Sequence, residues 1–208
     1  MTTTRIVLIP SARVVRWFDN FGERHGPASY DVRGGALHAT AADDATAVVS
    51  LPFGRAYVGA GDPAAFAAAV VAPDRWGVLL VRKGGFAVAR LAGERVVESK
   101  VGQRHVQGRT KAGGQSQQRF ARRRDNQARQ AYEAAADHAV RILTGPLDAL
   151  VCGGDRAAVD AALSDPRLVC FAKVRADRWL AVPDPRRAVL DRAVLDACAV
   201  AITVTEPG

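Results

Sequence analysis

The stretch WGVLLVRKGGFAVARLAGERVVESKV, Trp76 to Val101, decides how the larger part of this chain folds. Three β-rich runs, Gly77–Arg82, Phe86–Leu91 and Arg95–Val101, are separated by Lys83-Gly84-Gly85 and Ala92-Gly93-Glu94. Glycine supplies the positive φ that tight hairpins need, so the segment reads as a three-stranded antiparallel meander. A polar stretch follows, punctuated by Gly102, Gly108, Gly113 and Gly114, and it has no apolar period. It reads as a long exposed loop. Beyond it, Phe120, Ala121, Ala128, Tyr132, Ala135, Ala139 and Leu143 recur at helical spacings, which predicts one long helix over about 117–143, ended by Gly145-Pro146. Ala149–Cys152 then reads as a buried strand, Gly153-Gly154 as a turn and Arg156–Leu163 as a helix. Trp179–Val182 reads as a strand, Arg186–Ala199 as a helix and Val200–Val204 as a last strand. Strands alternating with helices after a meander predict an α/β fold, a mixed β-sheet flanked by helices.

The part before Trp76 is read as an N-terminal α/β extension packed on that core. Ser11–Phe21 is an amphipathic helix in which Ser11 serves as cap, Val14, Val15, Phe18 and Phe21 share a face, and Gly22 stops it. Ala47–Phe53 is a short strand stopped at Pro52. Asp62-Pro63 opens an alanine-rich helix that ends near Pro73, with aspartate as cap and proline at the first helical position. Nothing in these 75 residues carries recognisable chemistry, and the chain has no internal repeats.

Composition excludes several classes. Apolar residues make up 49% and charged residues 24% of the 208, an ordinary globular balance rather than that of a disordered chain. Runs such as Ala64–Ala72 are too short to span a bilayer, and the segment after Arg5 lacks the apolar length of a signal peptide, so no membrane is expected and the cytoplasm is the expected location. Cys152, Cys170 and Cys198 are odd in number and widely spaced, and they read as small buried hydrophobes. No H-E-x-x-H, P-loop, Ser/His/Asp set or cluster of carboxylates occurs, so neither a metal nor another cofactor is expected. No feature of the sequence sets an oligomeric state.

The net charge of +8 is concentrated. Between Lys100 and Arg129 lie nine of the 29 basic residues (Lys100, Arg104, Arg109, Lys111, Arg119, Arg122, Arg123, Arg124 and Arg129) against one acid, Asp125. The remaining 20 basic and 20 acidic side chains cancel, so one segment carries the whole imbalance. A polyanion, most often nucleic acid, is the partner such a segment implies. Within it, Gly113-Gly114 lets the backbone approach a ligand closely. Gln115 is no base near neutral pH, but its amide and backbone N–H can position a water or hold a developing oxyanion. Such a donor is worth ~3–4 kcal/mol in comparable acyl-transfer sites. Arg119, Arg122 and Arg123 recur at helical spacing, with Arg124 beside them, and the helix N-terminus adds free N–H donors.

The run Gly113-Gly114-Gln115-Ser116-x-x-Arg119-Phe120-x-Arg122-x-Arg124 resembles the catalytic loop of archaeal and eukaryotic class-1 peptide release factors nearly residue for residue. The flanking order of hairpin strands, loop, long helix, strand and helix is similar to that family's middle domain, over about Trp76 to Cys198. No codon-reading signature appears before it, so stop-codon recognition is not expected. The chain resembles instead the Vms-type release-factor-like hydrolases of ribosome quality control, in the branch described in actinobacteria. The resemblance implies residues 76–208 as the catalytic domain, with loop 102–116. It implies a metal-independent peptidyl-tRNA hydrolase that frees nascent chains from stalled ribosomes or large subunits, at the ribosomal RNA of the peptidyl-transferase centre. It implies Gln115 as catalytic residue, Gly113 and Gly114 as its conformational support, and Arg104, Arg109, Lys111, Arg119, Arg122, Arg123 and Arg124 as phosphate contacts.

Two other readings share the same loop. One is a nuclease acting near the tRNA 3′ end, for which His105 is the base candidate; the other is an RNA-binding module without chemistry. Gly153-Gly154-Asp155 is read as a plain turn and Asp43-Asp44 as surface.

Overall fold

The computed structural model describes the backbone of residues 2–103 and 115–208, and the side chains of residues 2–103 and 129–208. The chain divides into two compact units, residues 1–72 with 195–208 and residues 73–194. Among the described residues each holds a five-stranded sheet.

In the first unit, β1 (Thr3–Ile9) leads through a 3-10 turn at Ser11–Arg13 into α1 (Val14–His25), followed by β2 (Ala28–Arg33), β3 (Ala36–Ala41), β4 (Thr46–Ser50) and α2 (Pro63–Ala69). The last strand of the chain, β10 (Val200–Glu206), returns to this unit and completes an antiparallel sheet of order β1-β10-β4-β3-β2. Thr3 pairs with Glu206 and Ile9 with Val200, so β10 is an inner strand here. A continuous 76–208 domain, as read from the sequence, differs from this arrangement. Val200, Ile202 and Val204 bury one face of β10 with Leu37, Val49 and Phe18, a partnership set by distant residues and unmarked in the strand's own sequence.

The helices of this unit follow local rules with adjusted ends. Val14, Phe18 and Phe21 form the buried stripe of α1, while Val15 is 40% exposed. The helix runs through Gly22 and stops at Gly26, whose φ of +85° is a positive value that favours glycine. Ser11 sits in the preceding 3-10 turn and caps nothing. Asp62 caps α2 as expected, accepting hydrogen bonds from the backbone N–H of Ala64 (2.9 Å) and Ala65 (3.1 Å), with Pro63 at the first helical position. β2 and β3 are joined by Gly34-Gly35, both at positive φ, a two-residue hairpin signal present in the sequence.

The second unit contains the meander as expected: β5 (Trp76–Arg82), β6 (Gly85–Ala92) and β7 (Arg95–Gln103). α3 (Gln115–Ile142), β8 (Ala149–Gly154), α4 (Arg156–Leu163), a 3-10 segment at Val169–Val174, β9 (Arg175–Leu180) and α5 (Arg187–Cys198) follow. The sheet order is β7-β6-β5-β8-β9, with β5–β6–β7 antiparallel and β5–β8–β9 parallel. The chain is therefore a mixed α/β protein. β9 lies four residues upstream of the expected Trp179–Val182 run. It is an edge strand whose half-exposed positions admit Arg175, Asp177 and Arg178, which hide its apolar pattern. Of the cysteines only Cys152 is buried; Cys170 is exposed and Cys198 half-buried, so the expectation of three buried thiols holds for one. Among the described residues, no helix is long and apolar enough to cross a membrane.

Candidate functional site

Of the residues singled out in the sequence, Arg104, His105, Arg109, Lys111, Gly113 and Gly114 lie outside the described residues. Gln115 is the first residue of α3, and Arg119, Arg122, Arg123 and Arg124 fall within its first ten positions. A helix of 28 residues is ~42 Å long at 1.5 Å per residue. Its first N–H groups have no intrahelical partner and its dipole is positive at that end, so Gln115 stands where an anion or a developing negative charge is favoured.

What holds α3 is its C-terminal half. Ala135, Ala136, Ala139, Ile142 and Leu143 pack against Leu79, Val81, Phe86 and Val88 of the sheet. Alanine on that stripe lets the helix backbone approach the sheet closely, and complete burial of Ala135 and Ala139 shows that it does. Among the described side chains the buried stripe begins at Ala131, sixteen residues and ~24 Å along the axis from Gln115. The helix ends with Arg90 Nε donating to the carbonyl of Ile142 at 3.0 Å and Gly145 at φ +75°.

The strand that leads into the loop is fixed close by. β6 and β7 stay paired to Gly85 and Gln103. Gly85 has no room for a Cβ because the carbonyl of Gly102 occupies that space, and the ring of Phe86 lies over the α-carbon of Gly102. Phe86 in turn stacks on His138 of α3, with ring centroids 5.1 Å apart and planes 29° from parallel. Arg141 donates a hydrogen bond to His138 Nδ1. Burial, followed by the charges of Arg141 and Lys100, holds the His138 pKa below its usual 6.5, against the weaker pull of Asp137.

A groove of about 570 Å³ runs between α3 and α4, lined in part by Arg129, Tyr132, Glu133, Asp137, Asp165 and Arg167. Arg167 bridges Asp165 (2.6 Å) and Asp137 (2.7 Å), and its hydrogen bond holds the Asp165 carboxyl down at about 2. Burial raises the Tyr132 phenol.

The charge divides unevenly. The unit of residues 73–194 holds 23 basic and 13 acidic side chains, a net +10, whereas the other holds six and eight, a net −2. The excess positive charge belongs to the unit that carries α3.

A model of the actinobacteria/chloroflexi VLRF1 release factor family matches residues 74–203, more than half of the chain. The chain belongs to that family. No curated protein matches the chain. A solved structure described as an archaeal protein is 15% identical, over 76% of this chain and 51% of its own length, with a TM-score of 0.37. The chain therefore spans about half the length of that neighbour.

In this member of the VLRF1 release factor family the other candidate motifs have structural duties. Asp155 caps α4 by accepting from the Ala157 N–H at 3.2 Å. Gly154 has φ +96°, and a Cβ on Gly153 would lie 2.5 Å from the Leu180 carbonyl oxygen, so both glycines serve close strand packing. Asp43 accepts from His25 Nδ1 at 2.8 Å and the Ala45 N–H at 3.0 Å, which closes the β3–β4 turn. Among the described residues no group of three or more His, Cys, Asp or Glu is placed to hold a metal ion. Sequence reasoning passed over Phe86 and His138, because an aromatic on a strand and a histidine on a helix face read as core and surface.

Proposed function

We propose that this chain is a peptidyl-tRNA hydrolase of ribosome quality control, which releases nascent chains from tRNA on stalled ribosomes or large subunits in the cytoplasm. The observation that carries the reading is the position of Gln115: it follows Gly113-Gly114 and opens the long helix of a release-factor-family unit with a net charge of +10. Lys111, Arg119, Arg122, Arg123 and Arg124, with Arg104 and Arg109, hold phosphates of tRNA or ribosomal RNA near the peptidyl-transferase centre. The two glycines bring backbone close to the ester. Gln115 orients a water whose oxygen attacks the ester carbonyl carbon, and the helix N-terminus favours the charge that develops on the carbonyl oxygen. The bond from that carbon to the tRNA ribose oxygen breaks, the ribose oxygen takes up a proton, and the peptide leaves as a carboxylate. No metal or cofactor enters these steps.

The test is one gel with labelled peptidyl-tRNA, free and bound to large subunits. Intact deacylated tRNA is the expected product, and Gln115→Ala lowers its rate by ~10²–10³ while RNA affinity stays within about twofold of wild type. Turnover by Gln115→Ala equal to wild type sinks the assignment. A tRNA lacking its last nucleotides would show a nuclease, and no product would show a binding module.

A further inference from the structure

We propose that the Phe86–His138 ring stack is a positioning contact that sets the angle between the strand entering the Gly113-Gly114-Gln115 loop and the helix leaving it. This inference rests on the hydrolase reading above and names the residues that aim Gln115.

The contact joins the end of β7, through Phe86, to the C-terminal half of α3. Gly102 is the last residue but one of β7, and its α-carbon lies under the Phe86 ring. Any larger residue at 102 would displace that ring. Phe86, 6% exposed, is held from below by the core that contains Val81, Val88 and Ala139. Its outer face meets His138, on the helix that begins at Gln115. One ring pair thus ties the outgoing strand to the helix, N-terminal to the larger Ile142 and Leu143 anchors and beside Ala135 and Ala139, which restrain sliding and tilting weakly because they interdigitate little.

Leverage makes the contact matter for chemistry. His138 stands 23 residues from Gln115, ~34 Å along the helix, so each degree of tilt about the stack moves the helix tip by ~0.6 Å. A misplacement of ~1 Å at a reacting centre can cost ~10²-fold in rate. The stack is therefore expected to act on kcat, because phosphate contacts tolerate such a shift and the ester does not.

The charge state of the ring follows from its neighbours. Arg141 is always a donor, so His138 Nδ1 accepts and the proton of the neutral imidazole sits on Nε2. Arg141 on α3 and Lys100 on β7 oppose a second proton, and Asp137 on α3 favours it less strongly. Protonation converts Nδ1 into a donor facing the Arg141 guanidinium and breaks their hydrogen bond. Because the folded state holds the neutral form, the contact is intact at neutral pH and is lost as pH falls through the His138 pKa, which lies below 6.5.

The test compares His138→Ala with His138→Phe, a half-buried site where both variants are expected to fold. His138→Ala should lower kcat for peptidyl-tRNA hydrolysis about tenfold or more with KM within about twofold. His138→Phe should restore kcat and lack the acid-side fall expected of wild type. Equal kcat in His138→Ala and wild type, or no rescue by phenylalanine, overturns the proposal. A second measurement is independent of activity. Spin labels at Gln103 and Arg129, in a background with Cys170 and Cys198 changed to serine, report the strand-to-helix distance. His138→Ala should broaden its distribution and His138→Phe should not; unchanged widths overturn the proposal. If wild type fails to hydrolyse the substrate, the hydrolase reading falls, and the label distances still decide whether the stack holds the two segments together.

Discussion

Gly154 shows how a residue that suggests phosphate binding is instead required by packing. It has φ +96°, and its missing Cβ leaves space that the Val81 carbonyl fills. Gly154→Ala therefore combines a strained backbone with a collision inside the parallel β5–β8 pair, and should cost about 2 kcal/mol or more of stability. Thermal unfolding measures it, and a midpoint within one degree or so of wild type would contradict the account. The cap at Asp62 and the turn glycines at 34 and 35 were written in local sequence, because caps and tight turns depend on side chains within a few residues. The Phe86–His138 pair was not, because the two residues are brought together only when α3 lies on the sheet.

α3 is the element on which the reading depends. Its amphipathic period was legible from Phe120 to Leu143, and the observed helix is 28 residues, beginning at Gln115. The sequence also placed the arginines in its first turns. If Arg119, Arg122 and Arg123 each neutralise one phosphate, changing all three to Ala should reduce the slope of log K against log salt by roughly 2–3 for tRNA. Binding assays at several salt concentrations check it. A parallel loss at every salt, with the slope unchanged, would mean that these residues do not act through phosphates. Gln115→Ala, by contrast, should leave that slope alone.

Across the molecule the decisive fact is that the chain returns to its beginning. β10 lies between β1 and β4, with Val200 and Ile202 fully buried. Truncation before Val200 should therefore leave β1 without a partner and expose the core around Phe18 and Leu37. Hydrogen exchange in β1 and β4 should rise to the rate of unstructured chain, and retained protection there would refute this. Hairpin turns, the cap of α2, the period of α3 and the position of the charge were all carried by short-range patterns, and the loop motif by its own residues. Assignment of the last strand to the N-terminal sheet, the displaced β9, the separation of charge into a +10 and a −2 unit, and the Phe86–His138 stack required the folded chain. The physical reason is the same in each case: strand pairing and ring contacts join residues far apart in sequence, and their energy exists only once the elements have met.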